Sequence, residues 1–167
     1  RTVAEVVGLL TRREMSFAEH GIDTVTTFRR LLRAGQLPPG ADDGFGDVFL
    51  VVDGWPTRRQ DFAALEASGS EIATRGLSYG IHLVVTASRW SEIRPWLRDL
   101  LGTRFELHLG DPVESEVGMR QAANVPAIPG RGLTREGTHF LAALPRADGR
   151  CQPDDLNDAL RTLVDAV

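Results

Sequence analysis

The strongest candidate for chemistry in this sequence is a carboxylate at the end of an apolar run. The residues Val48–Val52 are apolar and mostly β-branched, and Asp53 follows them directly. Such a run predicts a buried parallel strand that delivers a carboxylate to one edge of a sheet. In sites that bind nucleoside triphosphates, this carboxylate helps to hold Mg²⁺ while the lysine of a Gly-rich loop holds the phosphates. The chain contains no lysine, so it supplies half of such a site.

Other reaction chemistries find little support in the residue types. A single cysteine, Cys151, excludes an internal disulfide and a zinc site built from paired cysteines. No Ser-His-Asp elbow or Cys-His pairing is visible. The histidines lack the spacing of metal ligands, and we therefore predict no transition metal. The four are His20, His82, His108 and His139, of which the last three lie in apolar runs and are expected to be hydrogen-bonded core imidazoles.

The composition predicts a soluble globular domain without the clustered positive charge of a general nucleic-acid binder. The 167 residues are 42% hydrophobic, and 19 arginines against 23 acidic residues give a net charge of -4. No apolar stretch approaches the roughly 18 residues of a transmembrane helix, and the N-terminus lacks a signal-peptide pattern. We expect one cytosolic domain over residues 1–167, with no second domain. Its first residue stands inside a helical pattern, which indicates a piece of a longer protein.

Alternating strands and helices are expected to position Asp53. Two helices come first, one that ends at His20-Gly21 and one that Asp23 caps and Gly35 ends. The later elements alternate between strand and helix, which is typical of a parallel α/β sheet. Pro95 is tolerated in a first helical turn, which predicts a helix start near Ser91. The predicted elements are the strand Val48–Val52, a helix over about 57–77, the strand Ile81–Thr86, the helix Ser91–Leu101 and the strand Arg104–Leu109.

The C-terminal part of the chain carries weaker signals. The turn Asp111–Ser115 leads into a short acidic helix, and the Pro- and Gly-containing residues Val125–Thr134 predict a rigid connecting loop. A strand His139–Leu144 and a terminal amphipathic helix Pro153–Val167 are predicted to follow. Two acidic pairs are expected to solvate a loop and to cap the last helix, namely Asp42-Asp43 and Asp154-Asp155.

Several blocks of the sequence resemble the FtsK/SpoIIIE family of hexameric motors. The residues Gly80–Arg89 are similar to the strand and turn that follow the Walker B strand in that family. Six blocks, in matching order over nearly the whole chain, look like the tandem ATPase domains of the EccC family, the motors of actinobacterial type VII (ESX) secretion. These blocks are Phe49–Trp55, Arg75–His82, Ser88–Trp90, Gly102–Arg104, Leu109–Asp111 and Pro129–Thr134.

The resemblance implies a RecA-like P-loop NTPase core, α/β with a mostly parallel sheet flanked by helices, present here without its P-loop. ATP and Mg²⁺ are implied for the intact domain, and neither is expected to bind this fragment alone. Asp53 matches the Walker B aspartate and hence the Mg²⁺ site. The family's catalytic carboxylate would come next, where this chain has Gly54. A glycine cannot orient or deprotonate water, a contribution of about two to four orders of magnitude in rate. This departure indicates the second or third module of the tandem, which are often degenerate.

Ser88 matches a sensor position of related motors, Arg89 and Arg104 could act on a neighbouring subunit's nucleotide, and each of the three has a structural alternative. Ser88 would read the γ-phosphate through the attacking water, or it would cap the turn after the strand. Arg89 would reach a neighbouring subunit's nucleotide, or it would pair with Glu92 on its own helix. Arg104 has the same two interpretations, as an arginine acting in trans or as a structural residue.

Three tryptophans lie where a partner could bind. Trp55 directly follows the Walker B strand, and Trp90 and Trp96 lie around the C-terminal end of the next strand. Ligands gather at the carboxyl ends of strands in open parallel sheets, so these rings could line a pocket or anchor an interface. Core packing is the commoner role for a tryptophan. We expect Trp90 or Trp96 to contact a neighbouring module or an export signal.

The resemblance implies a module of a secretion motor in the cytoplasm, held at the inner face of the cell membrane through its parent protein. In that role it would be degenerate and would contribute to substrate recognition, regulation and assembly. The alternatives are a catalytically active ATP-hydrolysing translocase domain and an FtsK-like DNA translocase. The implied partners are neighbouring EccC ATPase modules, small helical-hairpin secreted proteins that carry a C-terminal signal, and other membrane components of the secretion complex. Nucleic acid is not expected, nor is membrane insertion by this segment.

Overall fold

The computed structural model describes residues 2–55, 63–144, 146, 148–150 and 155–166. It divides the chain into two compact units, Arg1–Gly102 and Thr103–Val167, called unit 1 and unit 2 below. Each unit has its own sheet. The two are therefore described one after the other.

Unit 1 is an α/β unit built on a parallel pair of strands. The strands β1 (Val48–Val52) and β2 (Ile81–Val85) pair in parallel, from Val48 opposite Ile81 to Val52 opposite Val85. This pairing confirms the predicted α/β class with a parallel sheet. The elements are α1 (Thr2–Glu19), α2 (Val25–Arg33), β1 (Val48–Val52), α3 (Ala63–Arg75), a 3₁₀ turn (Gly76–Tyr79), β2 (Ile81–Val85), a second 3₁₀ turn (Trp90–Glu92) and α4 (Pro95–Leu100).

The core of unit 1 lies on one face of the β1–β2 pair. Leu50 and Val52 point into it, while Phe49 and Val51 are 60% and 61% exposed on the opposite face. This alternation follows from the two-residue period of a strand. The core also contains the most deeply buried side chains of the unit, Trp55, Leu10, Ile72, Ile81 and Leu97.

A buried arginine fixes the segment before β1 to the first helix. Arg13 of α1 is 7% exposed, and its Nε donates to Asp43 Oδ2 over 2.7 Å. The same guanidinium donates to the carbonyls of Tyr79, Phe45 and Gly46 over 2.8, 2.9 and 3.0 Å. A guanidinium has five donors and no acceptor, which suits this ring of oxygens. The residues that precede β1 are thus held by polar contacts.

Asp43 corrects the expectation that the acidic pair only solvates a loop. Its carboxylate binds Arg13 through both oxygens and accepts the backbone N–H of Phe45. Burial raises the pKa of Asp43, but the hydrogen bonds from Arg13 and Phe45 lower it more, so the pKa lies below its ordinary value of 3.8. Asp42 has the local role of accepting the Gly44 backbone N–H.

Two helix starts differ from the predicted ones. The cap of α2 is Thr24, whose hydroxyl accepts the Thr27 N–H over 3.3 Å, so the prediction of Asp23 was wrong by one residue. The helix α4 begins at Pro95, four residues after the predicted start. Proline pushes the residue before it out of the helical region, and Arg94 has an extended ψ of 146°.

The long helix predicted over 57–77 is described only in part. The described helix α3 spans Ala63–Arg75, and residues 56–62 lie outside the described ranges. Leu77 belongs to the 3₁₀ turn that follows. Gly80 ends that turn with φ 71°, where a Cβ would lie 3.0 Å from Val25 and 3.1 Å from Asp47, so glycine suits this entry into β2.

Unit 2 contains an antiparallel sheet of three strands, β3 (Phe105–Leu107), β4 (Arg131–Thr134) and β5 (His139–Leu141), in the order β3-β4-β5. The expectation of a third parallel strand is therefore wrong for β3. The predicted loop Val125–Thr134 also needs correction, because its last four residues form β4. The four residues between β4 and β5 suffice for a hairpin, which joins antiparallel strands. The elements are β3 (Phe105–Leu107), a 3₁₀ turn (Pro112–Glu114), α5 (Met119–Ala123), β4 (Arg131–Thr134), β5 (His139–Leu141) and α6 (Leu156–Asp165).

The described part of the last predicted helix is α6. Its N-terminal neighbour Asp155 makes no side-chain cap, contrary to expectation. The Asp155 carboxylate instead accepts hydrogen bonds from Arg146 and Arg150. Asp154, the other residue of the acidic pair that was predicted to cap this helix, lies outside the described residues. The same is true of the lone Cys151.

The three histidines expected in the core are not buried. His82 stacks on Phe49 with ring centroids 4.6 Å apart on the exposed face of the β1–β2 pair, and its Nε2 lies 3.0 Å from Asp47 Oδ1. His108 and His139 are exposed. An apolar run cannot tell the two faces of a strand apart, and His82 and His139 lie on outer faces, whereas His108 lies just beyond the end of β3.

Candidate functional site

The candidate site lies where the parallel strands β1 and β2 end. Asp53 follows β1, and Thr86 follows β2 in the same register. The Thr86 backbone N–H donates to the Val52 carbonyl over 3.1 Å, and the Trp55 N–H donates to the Thr86 carbonyl over 2.9 Å. These two bonds hold the ends of the strands together. They place the exposed Asp53 carboxylate at the carboxyl edge of the sheet, as the sequence predicts.

The Thr86 side chain adds two hydrogen bonds to this edge. Its hydroxyl donates to Asp53 Oδ1 over 2.5 Å and accepts the Gly54 backbone N–H over 2.9 Å. The carboxylate and the hydroxyl are hard oxygen groups, the kind that Mg²⁺ binds. Asp53 thus fits a role in holding the metal, while the chain has no lysine for the phosphates.

The residue after Asp53 adopts a conformation that favours glycine. Gly54 has φ 69°, in the left-handed region. A residue with a Cβ pays roughly 1–2 kcal/mol there. The site therefore offers no carboxylate at this position, and its backbone disfavours one.

The part of the chain that the structure describes also contains no group of three or more His, Cys, Asp or Glu that could hold a metal ion.

The turn after β2 is capped by Glu92. One carboxylate oxygen of Glu92 accepts the backbone N–H groups of Ser88 and Arg89 over 2.9 and 3.1 Å. One interpretation of Ser88 was that its side chain caps this turn, and in the structure Glu92 caps it. Ser88 and Arg89 are both exposed. Their assignment as sensor and as trans-acting arginine stays a prediction.

Arg104 forms an ion pair within unit 2. It lies just before β3, and its Nη1 lies 2.9 Å from Glu116 Oε2. Nearby, the carboxylate of the buried Glu106 accepts the Ser115 hydroxyl over 2.7 Å and the Glu116 N–H over 2.8 Å. These contacts give Arg104 a structural partner. Its role in trans also stays a prediction.

The three tryptophans occupy different environments. Trp55 is 1% exposed and belongs to the core of unit 1. Trp90 and Trp96 are half-buried and pack against the same core. Trp96 also lines a shallow depression with Glu66, Ala67 and Ser70. Trp55 is therefore a core residue, while the other two rings are partly exposed and their contact with a partner stays a prediction.

The sequence interpretation missed Thr86 as a residue of the site. It was assigned only as the last residue of a predicted strand. The available signal was its place one residue beyond the strand adjacent to β1, since the carboxyl ends of parallel neighbours meet at one edge. Its hydroxyl adds side-chain hydrogen bonds to the backbone bonds between these ends.

The sequence and the fold match proteins of one family. A model described as the FtsK/SpoIIIE family matches residues 1–148. The ESX secretion system protein EccC of Thermomonospora curvata is 56% identical over 168 residues, which cover 100% of this chain and 12% of that protein. The ESX-4 secretion system protein EccC4 of Mycobacterium tuberculosis is 50% identical over 150 residues, covering 89% of this chain and 12% of that protein. The chain thus spans about an eighth of the length of these curated relatives.

A solved structure shares this fold over the whole chain. It is the structure of Thermomonospora curvata EccC, containing ATPases 2 and 3, in complex with a signal sequence peptide. The TM-score is 0.90 at 56% identity, with 100% of this chain and 30% of that chain covered. The family match and this structural similarity confirm the P-loop NTPase class that the sequence predicts. The chain is homologous to EccC of ESX secretion systems and belongs to the FtsK/SpoIIIE family.

Proposed function

We propose that this chain is a degenerate ATPase module of a type VII secretion motor, serving substrate recognition, regulation and assembly. One observation carries the proposal. Asp53 follows β1 as a Walker B carboxylate would, and the next residue is Gly54 in a left-handed conformation. Without a carboxylate at that position, the module lacks the group that would activate water. The likeness to a structure that contains ATPases 2 and 3 of EccC supports a place among those modules.

The rest of the nucleotide site is inferred to lie in sequence that precedes Arg1 in the parent protein. ATP and Mg²⁺ would bind when that sequence supplies a phosphate loop opposite Asp53. We infer that both units belong to one partial ATPase domain, because the family model extends from unit 1 into unit 2.

The module would act in the cytoplasm, at the inner face of the membrane. Within the described residues, no helix combines the length and apolar composition needed to cross a membrane.

Nucleotide binding tests the proposed role of Asp53. Residues 1–167 alone should show no heat of MgATP binding in a calorimetric titration, whereas a longer chain with the preceding sequence should bind at one site. In the longer chain, Asp53→Ala should weaken Mg²⁺-dependent binding about tenfold or more, because it removes a metal ligand. Asp99→Ala, at an exposed position of α4, is the matched control and should bind as the parent does. One-site micromolar binding by residues 1–167 alone would contradict the proposal.

Partner binding would be the remaining use of a module that hydrolyses ATP poorly. The inferred partners are adjoining ATPase modules, small helical-hairpin secreted proteins and other membrane components of the secretion complex. The signal sequence peptide bound in the related structure supports an export signal as one ligand. A helical signal binds through a few apolar anchors, and half-buried aromatic rings are suited to receive them. Trp90 and Trp96 are the rings proposed for this contact.

Replacing Trp90 or Trp96 singly with alanine should weaken partner binding by about 2 kcal/mol, roughly thirtyfold in affinity. The measurement is a titration with a fluorescent signal peptide and with the adjoining module. Circular dichroism must first show that each variant is folded, because both rings also pack on the core. Met15→Ala, at a residue that is 68% exposed on α1, is the control. Parent-like affinity of both tryptophan variants for both partners would place the interface elsewhere.

A further inference from the structure

We propose that Thr86 is the positioning residue of the Asp53 carboxylate. This inference rests on the proposed function of Asp53 as a magnesium ligand, and it assigns the group that holds that ligand in place. A metal ligand must keep its orientation, and hydrogen bonds from neighbouring side chains supply this restraint in metal sites. Thr86 provides such a bond.

The hydroxyl of Thr86 makes contacts that few other side chains could make together. It donates to Asp53 Oδ1 over 2.5 Å and accepts the Gly54 N–H over 2.9 Å. Both contacts are needed at once, and a hydroxyl is both donor and acceptor. Valine has the shape of threonine without these functions, while serine keeps the hydroxyl. The site can therefore be tested with two small changes.

The orientation leaves part of the carboxylate for a metal. A carboxylate has two oxygens with about four acceptor positions. The bond to Oδ1 fixes the side-chain rotamer, and Oδ2 remains to bind a cation. The bond from the Gly54 N–H holds the backbone that directly follows Asp53. Thr86 thus restrains both the side chain and the following turn.

Thr86 also links Asp53 to the turn after β2. Two residues beyond Thr86, the N–H groups of Ser88 and Arg89 are held by Glu92. A movement of this turn would pull on Thr86 and hence on the carboxylate. The proposed sensor position and the residue that holds the proposed metal ligand are therefore two residues apart in the same turn.

The first test measures the orientation of Asp53 in the chain itself. Three-bond NMR couplings between Hα and Hβ report whether the Asp53 χ1 angle occupies one rotamer or several. Parent and Thr86→Ser should show one rotamer, and Thr86→Val should show averaged couplings. Thr74→Val is the control, since its hydroxyl bonds to the Ser70 carbonyl within α3. A single Asp53 rotamer in Thr86→Val would overturn the inference.

The second test measures Mg²⁺ dependence in the longer chain that carries the preceding sequence. With a fluorescent ATP analogue, Thr86→Val should raise the half-saturating Mg²⁺ concentration about tenfold, whereas Thr86→Ser should stay near the parent. Averaged couplings with unchanged Mg²⁺ dependence would show a purely structural role and overturn the inference. A longer chain that binds no nucleotide would defeat the proposed function instead, and the couplings would still decide whether Thr86 positions Asp53.

Discussion

Replacing Trp55 with alanine is expected to lower the free energy of unfolding of unit 1 by about 4 kcal/mol. Trp55 is 1% exposed, and a Cβ at Gly69 would lie 2.7 Å from Cη2 of its ring. The ring therefore fills the space that the missing side chain of Gly69 leaves on α3. Removing it opens a cavity that the packed helices cannot close. Urea unfolding followed by circular dichroism measures the loss.

A double-mutant cycle with Gly69 tests this packing explanation. In the parent, Gly69→Ala places a methyl group against the Trp55 ring and should destabilise the fold. In the Trp55→Ala background the same change should stabilise it by up to about 1 kcal/mol, because alanine favours a helix over glycine. Met15→Ala is the exposed control, with an expected change within about 0.5 kcal/mol. If Trp55→Ala costs no more than Met15→Ala, the ring is not a core residue.

Replacing Arg13 with methionine is expected to cost about 3 kcal/mol of stability, because breaking a buried ion pair leaves its partners uncompensated. The change deprives Asp43 and the carbonyls of Tyr79, Phe45 and Gly46 of their donor. Methionine keeps most of the apolar stem, so the loss reports on the guanidinium. Equilibrium unfolding in urea at pH 7 gives the value.

The control and the pH dependence separate this contact from general surface charge. Arg12→Met removes an exposed charge on α1 that lowers the pKa of Asp43 through space, without the hydrogen bonds that Arg13 makes, and should cost at most about 0.5 kcal/mol. The folded-state pKa of Asp43 lies below its ordinary value of 3.8, so its stabilisation is present above that value. It is lost as the pH falls through the lower folded-state pKa. Arg13→Met should therefore weaken the acid dependence of stability, and equal losses at Arg12 and Arg13 would contradict the assignment.

The sequence predicted the strand that carries Asp53 because β-branched residues and a terminal carboxylate are local signals. The same locality explains the errors. The direction of β3 depends on which strand pairs with it, and the types of its three residues do not indicate whether that pairing is parallel or antiparallel. Likewise, the apolar neighbours of His82 could not show that its ring lies on the exposed face with Phe49.

The site was predicted in part for a related reason. Asp53 and Gly54 are adjacent in sequence and directly follow an apolar run, so the sequence alone indicates the carboxylate and the missing second one. Thr86 lies 33 residues from Asp53 and meets it only through the parallel register of β1 and β2. Arg13 and Asp43 lie 30 residues apart, and an arginine inside a helical pattern gives no sign of being buried. Contacts between residues so far apart in sequence can be identified only once the fold is known.

Turnover of bound ATP tests the central claim that this module binds nucleotide without efficient hydrolysis. The longer chain, in excess over radiolabelled ATP and with Mg²⁺ present, is quenched at intervals and assayed for released phosphate. A first turnover slower than about 0.01 s⁻¹ is expected, because Gly54 offers no carboxylate to activate water and ordinary enzymes turn over at roughly 1–1,000 s⁻¹. Hydrolysis at about 1 s⁻¹ or faster, unchanged in Gly54→Glu, would show that another group activates water and that the module is an active ATPase.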